Sequence, residues 1–574
     1  MFKRDLLFWT LLLVGGIAIG NILLRRDRVR DPKDFRPDRM QQAASVSTTP
    51  VNSSAAKPEW PAKRGEDPGD IAEAVRKLNE EFSSAWTAQK LRHAPQAPNK
   101  AIIRRLSLAL TGTIPSIAEL RHLEKVPTDE QVEWWLSYLL EDPRFRDYFA
   151  ERFARAFVGT DDGPLIVYRR SRFKHWLAEQ IKNQTPYDQI VRDLIADTGF
   201  STANPSVNFI TSAVLNNEDN RIDTIRLAGR TTRAFLAMRI DCLQCHDDKL
   251  GNIWLGDPEN PVDGTQKDFH KLVAFYSSAK LGLTGIYDKE TTYKFKFLGT
   301  EEEVAVAPGV PFNAEILAAH GTEREQLAQW ITSPKNRPFA RAAVNRIWAL
   351  IFGQPLMEPI DDIPIAGPFS PGMELLVDDF IEHNYNMQRL IRIICMCQVF
   401  QQDSRADFEI LPAHERAWSV FPVTRLRPEQ MASAIVQSSS LATIDSTAHI
   451  IPRLVMFGNV NDFVRRYGDI GEDEFKVRAG TIPQRLIMMN GELVRERTKE
   501  NFVQNASTRL AALSTSNENT IEVAYLAIFT RLPTHEESEY FTKQLSGLKG
   551  RERREAVEDL YWTLLNSTEF SWNH

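Results

Sequence analysis

The chain has 574 residues, 43% of them hydrophobic and 25% charged, and a formal net charge of -6 at pH 7. Such a composition is ordinary for globular protein and leaves room for a few compact units. It lacks the basic excess that a nucleic-acid partner requires, so that class is excluded.

Residues 6–24, LLFWTLLLVGGIAIGNILL, form an almost unbroken apolar run. As a helix it would span about 28 Å, enough to cross a bilayer. RRDRVR follows it with no small-x-small cleavage pattern, which predicts an uncleaved anchor over 1–26 and makes the membrane a partner. Lys3 and Arg4 precede the run, and Arg25, Arg26, Arg28 and Arg30 follow it. That count by itself places the body in the cytoplasm. Residues 27–66 are charged, then rich in Ser, Thr, Ala and Pro, and predict a disordered tether.

The body reads as mainly α. In EDPRFRDYFAERFARAFVGTDDG the residues Phe145, Phe149, Phe153 and Phe157 recur at helical spacing, a core stripe, and Gly159 suits the exit. The stretch 223–240 also fits a helix. It carries Arg226, Arg230 and Arg233 on one face, either solvated or arranged as a clamp for carboxylates such as haem propionates.

That helix leads into RIDCLQCHDDKLGNIW, where Cys242, Cys245 and His246 stand in the C-x-x-C-H spacing. This is the attachment pattern of haem c: both thiols add to the vinyl groups and the imidazole binds the iron. Two other readings stay open. A zinc or other divalent metal could be held by Cys242 and Cys245 with Asp247, Asp248 or His270, or the two thiols could form a disulfide or a thiol pair.

The period changes in TTYKFKFLGTEEEVAVAPGVPF, where Tyr293, Phe295 and Phe297 alternate with polar residues and Val304 and Val306 follow a Gly and an acidic turn. This predicts a β-hairpin connector over 285–312, between a first helical domain at 67–284 and a second at 313–574. In the second half Arg341, Asn345 and Arg346 crowd one stretch close in sequence to Asp361 and Asp362. An Arg–Asp pair pinning the Pro/Gly loop is one reading, and a polar pocket where the halves meet is the other. Cys395 and Cys397, two apart in an apolar run, read as buried structural thiols. The carboxylate pair Asp161 and Asp162 could cap a turn or serve a site. No Ser-His-Asp signature, phosphate loop or dinucleotide fingerprint stands out.

The stretches IIRRLSLALTGTIPSIAEL, EDPRFRDYFAERFARAFVGTDDG and CLQCHDDKLGNIW, then RPFARAAVNRIWALIFGQPLMEPIDDI and TIPQRLIMMNGELV, resemble the planctomycete cytochrome-associated paired domains of unknown function. The resemblance covers about residues 70–574 and its order of motifs is that of the family. It implies export, hence a single-pass inner-membrane protein with a periplasmic body, against the local charge count. It also implies a redox or electron-transfer role through the C-x-x-C-H site, with a redox partner. The alternatives it leaves are a metal-dependent hydrolase, an accessory protein acting beside an exported sulfatase-like partner in sulfated polysaccharide breakdown, or a scaffold without chemistry. Where the family has Cys-x-x-Cys-His-Asp-His, this chain has Asp248 in place of the second His. That weakens a metal site more than a haem site.

Overall fold

A computed structural model describes residues 68–159, 168–215, 221–251, 253–257, 260–444, 463–468, 475 and 481–574. The apolar run at 6–24, the tether at 27–66 and the pair Asp161 and Asp162 lie outside the described residues. Among the described residues no helix is long and apolar enough to cross a membrane.

The fold is mainly helical, with strands only in small two-stranded pairs. In the first half the principal helices are α1 (Pro68–Gln89), α2 (Asn99–Thr111), α3 (Gln131–Glu141), α4 (Pro143–Val158), α5 (Arg170–Lys182), α6 (Tyr187–Ala196) and α7 (Thr224–Leu236). Helix α4 starts where Asp142 accepts the amide of Arg144 and Pro143 occupies the first turn, a position that needs no N–H donor. Its stripe is buried as expected: the Phe145, Phe149, Phe153 and Phe157 rings follow one another at 4.7, 6.0 and 5.5 Å.

Three hairpins follow α7, with helix α8 (Gln266–Ala274) between the first two. They are β1 (Trp254–Asp257) with β2 (Asn260–Asp263), β3 (Ala279–Gly282) with β4 (Gly285–Asp288), and β5 (Lys294–Phe295) with β6 (Val304–Ala305), all antiparallel. The alternating pattern foretells only the last, in which Phe295 pairs with Val304. A connector starting at 285 would cut the β3–β4 hairpin, whose register joins Ala279 to Asp288 and Gly282 to Gly285. The boundary is corrected accordingly. The tight end of this hairpin depends on Gly285 at φ +92°, where a Cβ would lie 2.2 Å from the carbonyl oxygen of Gly199.

The second half contributes α9 (Glu323–Ile331), α10 (Arg337–Phe352), α11 (Met373–Glu382), α12 (Met387–Met396) and α13 (Pro428–Ser438), then further helices to the C-terminus. The halves share one hydrophobic core. Tyr187 of α6 stands 6.0 Å from Phe153 of α4 and stacks at 5.5 Å on Phe339 of α10, so aromatic packing runs straight across the expected division. Cys395 and Cys397 are free and fully buried.

A buried ion pair fastens the same seam. The Arg324 side chain of α9 is 0% exposed; it donates to both oxygens of Asp288 at 2.7 and 2.8 Å and to the carbonyls of Ile195 and Asp197. Removing one partner of such a pair strands a charge without solvent. Asp288→Ala is expected to lower unfolding stability by about 3–5 kcal/mol in urea titrations. Arg92→Ala, which breaks the exposed pair with Asp407, should change it by under about 1 kcal/mol.

Candidate functional site

The C-x-x-C-H segment forms a short 3₁₀ turn, Asp241–Gln244, directly after α7. Leu243 points into the core and is fully buried, whereas Cys242, Cys245 and His246 are all exposed. One apolar anchor thus fixes the turn and presents three reactive side chains outward.

Three neighbours hold the turn in place. From α7, Arg233 Nε donates to Asp241 Oδ2 at 2.6 Å. The helix has Gly229 opposite, where a Cβ would lie 2.4 Å from Asp241 Oδ1. Glycine inside a helix costs about 1 kcal/mol relative to alanine, and this close approach is the reason for its place here. From α8, Gln266 Nε2 and His270 Nε2 both donate to the carbonyl of Gln244 at 3.1 Å. From the second half, Arg239 Nε donates to Asp361 Oδ1 at 2.8 Å and the amide of Ile363 donates to the carbonyl of Ala237 at 2.8 Å. Ala237 takes a left-handed conformation at φ 48°, which turns the chain sharply from α7 toward the motif.

The loop that reaches across is itself held by α10. Asn345 donates to the carbonyl of Met357 at 2.8 Å and accepts its amide at 2.9 Å. Arg341 donates to the carbonyl of Ile365 at 2.9 Å and pairs with Glu374 at 2.7 Å. The expected pin between an α10 arginine and Asp361 is therefore corrected: α10 grips the loop through Asn345 and Arg341, and Asp361 serves Arg239. Asp362 lies beside them, and burial pushes its carboxyl above the ordinary range.

The metal donor set does not assemble. Asp248 accepts the amides of Leu250 and Ile253, and Asp247 accepts the amide of Gln266 at the start of α8. A carboxylate there is favoured by the helix dipole. His270 is fully buried, stacks at 3.5 Å on Phe295, donates through Nε2 to Gln244 and accepts the Tyr293 hydroxyl at Nδ1, 2.8 Å away. Both ring nitrogens are used, and burial holds its pKa below the ordinary value. Among the described residues no group of three or more His, Cys, Asp or Glu is placed to hold a metal ion. The residues expected for a zinc site do not fit one.

The haem donor set fits. Nδ1 of His246 lies 2.8 Å from the carbonyl oxygen of Asp247, which can only accept, so Nδ1 donates and Nε2 is the ring nitrogen left to serve as a ligand. A backbone carbonyl on the opposite ring nitrogen is the usual way a ligating histidine is oriented. Cys242 and Cys245 are free thiols on the same turn.

Next to the turn opens a cavity of about 340 Å³. Arg155 of α4, Arg226, Arg230 and Arg233 of α7 and Arg346 of α10 line it, with Asp223, Asp241 and Asp361. Two clusters that lie far apart in sequence, the α7 arginines and the Arg346/Asp361 group, thus share one cavity, while Arg341 and Asn345 stand behind it as loop supports. Sequence pattern does not single out Arg155, Arg239 or Gln244. The signal for Arg155 is weak: it occupies the polar face of the aromatic helix, which reads as solvated.

Residues 77–280 match the family described as PSCyt2, protein of unknown function (DUF1549), and residues 323–450 match PSD1, protein of unknown function (DUF1553). The chain belongs to the tandem DUF1549–DUF1553 proteins. The two matches end and begin on either side of the β5–β6 hairpin, so in this DUF1549–DUF1553 protein the cavity is built jointly by both domains: α4 and α7 from the first, α10 and Asp361 from the second. Neither curated proteins nor solved structures gave a match.

The exposure pattern predicts thiol chemistry in protein made without haem attachment. Alkylation should modify Cys242 and Cys245 in the folded state, because the thiolate is the nucleophile and only these thiols are reachable. Partial burial, and then the charge of Asp248, raise the Cys242 thiol, so its rate should keep climbing with pH beyond the ordinary thiol range. Cys395 and Cys397 are raised by burial, Cys397 to about 12, and should react only after denaturation. Mass spectrometry showing four modified thiols in folded protein would contradict this placement.

Proposed function

We propose that this protein is an exported, membrane-tethered redox protein that attaches haem c at Cys242, Cys245 and His246. The observation that carries the reading is the donor set on one exposed turn: two free thiols and an imidazole whose Nδ1 is committed to a backbone carbonyl. When bound, haem supplies one-electron transfer at its iron. In this chain Cys242 and Cys245 would hold the group covalently, and His246 would offer Nε2 to the iron. The bonds from Asp247 and from the Gln244 carbonyl keep the turn from shifting. Exposure of the turn favours electron exchange with a docking redox partner. The apolar run at 6–24 supports the membrane tether, and a covalent haem requires the body to face the periplasm rather than the side its flanking charges favour.

Produced with cytochrome c maturation, the protein is expected to carry haem that survives denaturing electrophoresis. Cys242→Ala with Cys245→Ala should abolish that signal, and His246→Ala should keep attached haem but shift its Soret band. Colourless protein of unmodified mass under those conditions would overturn the proposal.

A further inference from the structure

Three large apolar side chains stand exposed close to the C-x-x-C-H turn. Asp248, two residues past His246, accepts the amides of Leu250 and Ile253 and so curls the chain just beyond the imidazole. Leu250, within that curl, is 82% exposed. Strand β1 then begins with Trp254, 54% exposed, while the next residue, Leu255, is buried, as alternation along a strand requires. The Trp254 ring leans back over the same curl, its Cζ2 4.0 Å from where a Cβ on Gly251 would stand. A second connection runs through Gln266: its Nε2 donates to the Gln244 carbonyl inside the motif, and its Oε1 accepts the amide of Leu298, which is 76% exposed. Single exposed apolar residues are ordinary on a protein surface, but several gathered at one reactive turn mark a contact surface. The turn itself names the occupant. A group joined to both Cys242 and Cys245 and to His246 is held close against this backbone, and the macrocycle of haem is apolar, so it is favoured to rest on apolar side chains rather than in water.

We infer that Leu250, Trp254 and Leu298 form the surface against which haem attached at Cys242 and Cys245 packs; this rests on the haem reading above. The three side chains exclude water from part of the macrocycle and lower the polarity around the iron, which favours its less charged, reduced form. Asp248 and Gln266 already hold the backbone at Leu250 and Leu298, so the surface exists before attachment. Asp248, which stands where the family has a second His, thereby finds its use in shaping the loop beside the site.

The test is hydroxyl-radical footprinting of the full chain in lipid nanodiscs, read by mass spectrometry, with haem attached and in the haem-free Cys242→Ala, Cys245→Ala variant. Modification of Leu250, Trp254 and Leu298 should be at least threefold lower when haem is attached, whereas Leu283, 97% exposed at the β3–β4 turn, should react equally in both proteins. A second variant, Leu250→Gln with Leu298→Gln, changes only strongly exposed side chains, so haem should still attach and the unfolding midpoint should stay level. Its reduction potential should nevertheless fall below that of the wild type, a shift that a merely structural role would not produce. Attached haem with unchanged reactivity at the three positions, or equal potentials in the two proteins, would overturn this inference and leave the haem reading standing. Colourless wild-type protein of unmodified mass would remove both. Protection that grows in the haem-free variant as its concentration rises would also overturn the inference, because a second copy of the chain would then be the occupant.

Discussion

Helix α10 is buried along almost its whole length, from Pro338 to Phe352, and in a helix enclosed in this way each polar group left without a partner is costly. That constraint organises the seam. Asn345 satisfies both sides of its amide on Met357 and so shapes the loop that follows. Arg341 spreads over Glu374, the carbonyl of Ile365 and the ring of Phe369. Arg346 alone of the three is left facing a cavity rather than a protein partner. The helix that joins the two domains therefore also supplies their shared opening.

From this helix the order passes outward to the motif. The loop shaped by Asn345 brings Asp361 to Arg239 and Ile363 to Ala237, and those contacts fix the chain just before Cys242. On the other side His270 and Gln266 hold the carbonyl of Gln244. The thiols and the imidazole are exposed, yet the backbone carrying them is bonded from both domains. A site that is chemically accessible on a rigid frame suits a covalently held group, because little order must be gained on attachment.

Much of the fold is legible in the chain. The stripe through Phe145, Phe149, Phe153 and Phe157 predicts a buried helix face because helical period is a local property, and its burial follows from local hydrophobicity. The Phe295–Val304 hairpin is legible for the same reason at period two. The β1–β2 and β3–β4 hairpins are not, since each is four residues per strand with little alternation, and β3–β4 owes its end to the approach of Gly285 to Gly199, a contact between distant segments. His270 reads wrongly as a metal ligand for a related reason. Its residue type and its distance along the chain fit a ligand, but the Tyr293 hydroxyl and the Gln244 carbonyl, which occupy its nitrogens, become visible only in three dimensions.

What the sequence determined by itself is chemistry carried on a short span: the C-x-x-C-H spacing, the α7 face with Arg226, Arg230 and Arg233, the buried pair Cys395 and Cys397, and the mainly helical class. These depend on neighbours within one or two turns. What only the tertiary structure decided is which charges meet. Arg346 and Asp361 line one cavity with the α7 arginines, and Arg341 and Asn345 do not, although all four stand close together in the chain. The direction in which a buried helix turns each polar side chain is set by the helices packed around it, and that information lies in no local pattern.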